Sequence, residues 1–379
     1  MVTQTEDTIA LNLERKVNDS YHIVVGADLF PRIARELRVE MPHISRFAII
    51  TDSNVGLLYA AKLQDQFIEH AQCRVFTFPA GEQNKTMQTV TNVLEQLGEA
   101  RYNRDTVILA LGGGVVGDLV GCVAGLINRG VPYVQIPTTT LAQADSAVGG
   151  KTGVDLKAGK NLAGLFKQPW RVYMDVNTLR TLDDRNYRAG LVEVIKHGVI
   201  QDAEFFDYLE QHVDALLARD KEVLKYLARV NSRIKGNVVE IDPNEKGLRR
   251  ILNYGHTLGH AIETASDYEL LHGEAVALGM MAAGWIAYST CGFPLDDLRE
   301  QNNLLRRLGI PDKIPRSVSN DDLIRMTLSD KKAAGGKARY CLPIRIGEMH
   351  PFGEADVTPK PYVTPVDIKV VRDALDSVR

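Results

Sequence analysis

Cysteine is scarce in this sequence, and none of it is paired by spacing. The four cysteines, Cys73, Cys122, Cys291 and Cys341, form no CxxC arrangement. That excludes a disulfide framework and a thiolate zinc site, and it fits free thiols in a reducing compartment. An excess of charge is missing too: 45 Lys and Arg stand against 48 Asp and Glu, a net charge of −3. No global field therefore directs the chain to nucleic acid or an anionic membrane, and any anionic ligand must be held by a local basic cluster. The N-terminus, MVTQTEDTIALNLERK, lacks the apolar run of a secretory leader. One long stretch without charge, residues 275–295, is rich in Ala and Gly and has no basic flanks, so it reads as a buried helix and not a membrane span. Repeats and low-complexity tracts are absent. What remains is a soluble globular protein, 45% apolar and 25% charged, expected in the cytoplasm.

A chain of 379 residues is long for one core, so two domains are expected. The first half alternates short β-rich runs (Tyr21–Val25, Phe47–Thr51, Arg74–Phe78, Thr106–Leu111, Tyr133–Ile136, Val172–Asp175) with helical patterns near 28–38, 54–71, 85–100 and 115–127. Such alternation predicts a parallel, helix-covered sheet. From about 187 to 308 the periodicity is helical, broken at Asp202, at Asp242-Pro243 and at the turn from Cys291 to Pro294. Arg339–Ile346 reads as one strand and Val366–Ser377 as a closing helix. The expected fold is thus α/β over 1–180 and mainly α-helical over 181–379.

Three segments carry chemistry. Residues 112–117, GGGVVG, satisfy GxGxxG between a strand and a helix, where backbone N–H groups approach a pyrophosphate. The ribose-binding acid expected about 20 residues later is missing, since no Asp or Glu lies between Asp118 and Asp145. Asp52, at the end of an earlier strand, is the alternative. Residues 137–161, PTTTLAQADSAVGGKTGVDLKAGKN, combine hydroxyls, glycines and lysines suited to phosphate. They are not a P-loop, because Asp145 stands where GxxxxGK[ST] requires glycine. Third, His256 and His260 share a helical face, His272 follows, and Glu193 and His197 lie in an earlier helix. Three N/O ligands with an open position suit a catalytic zinc, and spacing alone does not choose among the four histidines.

Taken in order, GGGVVGD (112–118), PTT…D…GGKTGV (137–154), GKN (159–161), EVIK (193–196), LRRILNYGHTLGHAIE (248–263), HGEAVALGM (272–280) and DKK (330–332) closely resemble the 3-dehydroquinate synthase family over nearly the whole chain. The resemblance implies a Rossmann-like N-terminal domain, a helical C-terminal domain and a homodimer. It also implies NAD+ and Zn2+, with Co2+ able to fill the same site. The implied metal ligands are Glu193, His256 and His272, leaving His260 near the substrate and His197 outside the set. NAD+ would contact Asp52, Asn54, Glu82, Lys85, Gly114, Val115, Val116, Gly117, Asp118, Thr138, Thr139, Lys151, Lys160, Thr178, Leu179 and Thr181. Substrate would meet Asp145, Lys151, Asn161, Lys196, Lys235, Arg249, Asn253 and one of Lys331 and Lys332, and Arg129 would reach the partner subunit's site. Ala147 and Asp155 depart from the family's usual Ser and Asn, and Lys157 follows in the same loop, which touches only loop geometry.

The implied activity converts 3-deoxy-D-arabino-heptulosonate 7-phosphate to 3-dehydroquinate and phosphate, a step of the shikimate pathway. It runs through transient oxidation by NAD+, phosphate elimination, re-reduction and aldol closure. Three rivals remain: another sugar-phosphate cyclase, a metal-dependent alcohol dehydrogenase of the glycerol type, or a catalytically dead NAD-binding or scaffold protein, whose mark would be a lost zinc ligand or core lysine. Lys235 and Arg249, which by resemblance grip a carboxylate, speak against the first. Lys151, Lys196 and the DKK lysines speak against the second.

Overall fold

All of the expected strands of the first half are present and share one sheet. A computed structural model describes residues 13, 18–67, 72–329, 338–353 and 359–379. Strands β1 (His22–Gly26), β2 (Arg46–Asp52), β3 (Gln72–Phe78), β4 (Thr106–Gly112), β5 (Tyr133–Pro137) and β8 (Arg171–Asp175) form a sheet of order β1-β8-β5-β4-β2-β3. Every pairing in it is parallel. Helices α1 (Phe30–Glu40), α2 (Met87–Glu99) and α3 (Gly114–Leu126) flank it. Between them, residues 53–67 form a succession of short helical turns and not one helix. β4 is buried at every position, as a central parallel strand covered on both faces must be.

α3 lies unusually close to the sheet, and its glycines are the reason. A Cβ on Gly117 would stand 2.8 Å from the Gln135 side chain, and one on Gly121 would stand 2.3 Å from Thr152. Thr152 belongs to a feature absent from the expected strands, an antiparallel hairpin of β6 (Lys151–Leu156) and β7 (Gly159–Phe166). Its glycines and lysines read as a loop because they disguise the alternation of a strand. The hairpin lies apart from the main sheet and carries Lys151, Lys160 and Asn161.

From residue 184 onward helices dominate: α4 (Asp184–Gln201), α5 (Ala203–Gln211), α6 (Lys221–Ile241), α7 (His256–Ala265), α8 (His272–Cys291), α9 (Leu295–Arg307), α10 (Asn320–Ser329) and α11 (Ile368–Asp376). The expected breaks hold, for Asp202 ends α4 and caps α5, Asp242 ends α6, and Gly292 ends α8 in the left-handed conformation. The uncharged stretch is the buried body of α8, and no described helix is long and apolar enough to cross a membrane. Arg339–Ile346 is not one strand. Arg339–Tyr340 pairs with Thr364–Pro365, and Pro343–Arg345 pairs with Glu348–Met349. Pro343 has no N–H to continue a single ladder, and this divides the run.

Around α8 the helices approach backbone to backbone. A Cβ on Gly279 would lie 2.1 Å from the Gly255 carbonyl oxygen, and one on Gly273 would lie 1.9 Å from the Ala189 oxygen. Gly279→Ala is therefore expected to cost about 1–3 kcal/mol by overpacking. Gly236→Ala on α6, with nothing within 4 Å of its Cβ, should be neutral or stabilising by about 0.5–1 kcal/mol. Thermal unfolding of the two variants beside the parent checks this; equal midpoints would contradict the close approach.

Candidate active site

At the sheet's C-terminal edge, β4 runs through Gly113 directly into α3. Gly113 offers no side-chain cap, so the first-turn N–H groups of Gly114, Val115 and Val116 have no side-chain acceptor. Opposite them, Asp52 closes β2, its Oδ1 accepting from the Asn54 and Val55 N–H groups at 2.8 and 2.9 Å. The PTTT loop follows β5, and the Thr138 N–H donates to the Gly112 oxygen at 2.9 Å. The hydroxyls of Thr138 and Thr140 are buried without partners. Thr178, Leu179 and Thr181 lie on the turn Val176–Thr181, where the Tyr59 hydroxyl meets Thr181 Oγ1 at 2.6 Å. One buried lysine knits this end together: Lys85 Nζ donates to Asp118 and to Asn161 Oδ1, both at 2.6 Å. Glu82 lies 3.9 Å from Lys160 Nζ.

Across from this edge, α4 projects Glu193 into the interior with no exposure at all. Glu193 Oε1 lies 3.4 Å from His256 Nε2 and 3.7 Å from His272 Nε2. The His260 ring centroid lies 5.3 Å from that of His256 and 5.7 Å from that of His272. Lys196, one turn along α4, ion-pairs with Glu193 Oε2, yet neither carboxylate oxygen accepts a hydrogen bond. A fully buried carboxylate whose Oε2 meets the Lys196 ammonium and whose Oε1 has no donor leaves a place for a second cation, and neighbouring imidazoles supply the donors zinc or cobalt prefers. Burial and the Lys196 cation hold His256 well below its ordinary value, so it is neutral and able to ligate. Burial pushes His272 down as well, but its hydrogen bond to Glu263 and the charge of Glu193 outweigh this and raise it.

Among the described residues, two groups of donors lie close enough to share an ion: His256, His260 and His272, and a second of Asp145, Glu193 and His197. In the second, Asp145 and His197 are already engaged. Asp145 Oδ1 accepts from Lys235 Nζ at 2.7 Å, and burial is outweighed by Lys235 and Lys196, which hold its carboxyl well below the usual range. His197 Nδ1 meets Asn231 Oδ1 at 2.6 Å, while the Asn231 amide donates to the Ala144 oxygen at 2.6 Å. With Asn231 so oriented, Nδ1 carries the proton. Burial, with Lys196 close by, pushes His197 down to about 3, so the ring is neutral.

Arg249 is buried, donating to the Pro243 oxygen at 2.8 Å and the Gly149 oxygen at 3.1 Å, and its Nε has no acceptor. Lys151 and Asn253 converge on one carboxylate: Lys151 ion-pairs with Glu245, whose Oε1 accepts from the Asn253 amide at 2.8 Å. Arg129 is exposed at the far end of α3, about 20 Å from Gly114 at the rise of an α-helix. Within one chain it does not join the cluster. Lys331 and Lys332 lie outside the described residues.

Sequence reasoning passed over Glu263, Glu245 and Asn231. Glu263 had a signal: it follows His256 by seven residues and His260 by three, on the same face of α7. Glu245 lies in a turn with a positive φ of 57°, and nothing in its spacing marks it. Asn231 acts through a contact 34 residues away.

Comparison with known proteins follows the same lines. Residues 75–189 match the family model described as 3-dehydroquinate synthase N-terminal, and residues 190–333 match 3-dehydroquinate synthase C-terminal. The chain is 44% identical over 337 residues to a 3-dehydroquinate synthase of Symbiobacterium thermophilum, covering 87% of this chain and 93% of that one. Among solved structures, a 2-deoxy-scyllo-inosose synthase complexed with carbaglucose-6-phosphate, NAD+ and Co2+ is similar at a TM-score of 0.85 and 28% identity, covering 94% of this chain and 96% of that one. A 2-epi-5-epi-valiolone synthase of Streptomyces hygroscopicus with NAD+ and Zn2+ bound is similar at 0.84 and 27%, covering 98% and 99%.

The Asp145–Lys235 pair gives a direct test of the site's electrostatics. Lys235→Met leaves Asp145 among buried groups without its main partner, at an expected cost of about 3 kcal/mol. Adding Asp145→Asn should recover part of that loss, read as a rise in the denaturation midpoint of the double variant over the single. No recovery would mean that the pair contributes through packing and not through charge.

Proposed function

The chain belongs to the 3-dehydroquinate synthase family, and on that premise we propose how its residues share out the family's reaction. The observation that carries the assignment is Glu193: a fully buried carboxylate, both oxygens without a hydrogen bond, set among three histidines and facing a basic cluster. The reaction turns 3-deoxy-D-arabino-heptulosonate 7-phosphate into 3-dehydroquinate and phosphate. We assign residues 1–180 to the nucleotide and 181–379 to metal and substrate, with the substrate held between them. Glu193, His256 and His272 would hold Zn2+ or Co2+, and His260 would face the substrate. NAD+ would lie along Gly114–Asp118, with Asp52 and Asn54, Glu82 and Lys85, Thr138 and Thr139, the Thr178–Thr181 turn, Lys151 and Lys160 around it. When bound, NAD+ supplies a hydride acceptor and donor, and the metal supplies a Lewis acid for adjacent hydroxyls.

The remaining work falls to side chains. Arg249, with its unpartnered Nε, and Lys235, oriented by Asp145, suit the substrate carboxylate. Lys151, Asn161, Lys196, Asn253 and one of Lys331 and Lys332 would neutralise the phosphate and the developing charge, a task of orientation and electrostatics. Lys151 and Asn253 must first exchange Glu245 for substrate. None of these assignments gives a side chain the part of a dedicated base. The departing phosphate can take the proton itself.

Phosphate release decides between this reading and its rivals. One phosphate per heptulosonate phosphate should appear with trace NAD+ and no accumulation of NADH, and little should appear from glucose 6-phosphate. A dehydrogenase would accumulate NADH and release none. Arg249→Ala should weaken substrate binding tenfold or more, from a lost contact of about 1.5–3 kcal/mol. Chelator dialysis should abolish turnover, and zinc or cobalt should restore it. His272→Ala should lose the metal and His197→Ala keep it; the reverse would move the ligand set to Asp145, Glu193 and His197.

Arg129 serves its proposed role only in a dimer, at the partner subunit's phosphate site. Mixing inactive Arg129→Ala and inactive Lys196→Ala subunits should restore activity through hybrids holding one intact site. Hybrids that form, by mass, without activity would place Arg129 outside catalysis in trans.

A further inference from the structure

Glu263 stands between two parts of the site and has no role in the assignments above. It sits two turns after His256 on α7, and its side chain is 8% exposed. Its oxygens are divided: Oε2 lies 3.2 Å from His272 Nδ1, and Oε1 accepts from Lys160 Nζ at 2.7 Å. Lys160 comes from β7, where its ammonium also lies 4.5 Å from the centroid of the Tyr268 ring. An ionised carboxylate only accepts, so Nδ1 of His272 must be the donor. In the neutral ring the lone pair then resides on Nε2, the atom that faces Glu193.

We propose that Glu263 is a positioning residue for the metal centre: it fixes His272 as the Nδ1–H tautomer, presents Nε2 to the ion, and is itself fixed by Lys160. This rests on the assignment of His272 as a ligand. Three features carry it together. The bond to Nδ1 restricts the imidazole's rotation about its side-chain torsions. The negative charge raises the basicity of the ligating nitrogen, as carboxylates behind metal-bound histidines do. The Lys160 ion pair occupies the other oxygen, so the carboxylate cannot turn to take a place in the ion's own coordination shell.

The experiment measures Zn2+ affinity of chelator-stripped full-length protein by competition with a chromophoric chelator, alongside thermal unfolding of each metal-free form. Glu263→Ala should bind Zn2+ about 10–100-fold more weakly than the parent. Glu263→Gln keeps an oxygen that accepts from Nδ1–H, and it should recover most of that affinity. His272→Ala separates this proposal from the one beneath it. If His272→Ala loses the ion while Glu263→Ala binds within about twofold of the parent, the positioning role is wrong and the ligand set stands. If His272→Ala also binds normally, the ligand assignment falls and takes the Glu263 role with it. Failure of Glu263→Gln to restore the affinity lost in Glu263→Ala would assign the effect to charge and not to the bond at Nδ1, and a loss that merely follows a lower unfolding midpoint of metal-free Glu263→Ala would show a packing effect; either result overturns the proposal.

Discussion

Burying Glu193 is the constraint from which the site is built. A carboxylate with no exposure and no hydrogen-bond donor is costly unless a cation answers it. The fold surrounds it accordingly with Lys196 and the imidazoles of His256 and His272. Both histidines are the first residues of their helices, where the positive end of the helix dipole disfavours a protonated ring and favours a nearby anion. At His256 burial, charge and helix position act in one direction, whereas at His272 the bond to Glu263 and the charge of Glu193 prevail over burial.

The glycine-rich edge of the sheet answers a different constraint, the close approach of backbone to backbone and to the proposed nucleotide site. Glycines let α3 settle against β5 and the hairpin, and the helix start stays free of side-chain caps. The hairpin links the two sides: Asp155 N–H donates to the Lys85 oxygen, Asn161 accepts from Lys85, and Lys160 reaches Glu263 on α7. A segment that resembles a loop in sequence is thus the strut between the glycine-rich sheet edge and the histidine cluster.

Much of this was legible before any coordinates. The six parallel strands follow from β-branched runs separated by helical patterns, and the gathering of His256, His260 and His272 follows in part from a four-residue spacing. The approach of Glu193 to His272 was not legible from spacing, since 79 positions separate them and only the packing of α4 on α8 joins them. The hairpin stayed hidden because its Gly and Lys content suppresses strand alternation. Arg339–Ile346 misled for the opposite reason, with β-rich composition interrupted by one proline. Polar partners such as Glu245 and Asn231 carry no periodic signature, so only tertiary contact reveals them.

The glycine contacts around α8 also set how much positional error the proposed ligands inherit. With Gly279 against the Gly255 carbonyl and Gly273 against that of Ala189, the separation of α4, α7 and α8 is fixed by main chain touching main chain. No rotamer intervenes in that spacing, so thermal rearrangement of side chains in the surrounding core is not transmitted into the distances between the helix axes. The only soft coordinates left between Glu193, His256 and His272 are their own side-chain torsions. A site assembled this way behaves like a jig: drift in the neighbouring sequence can alter stability while leaving the spacing of the three proposed ligands unchanged.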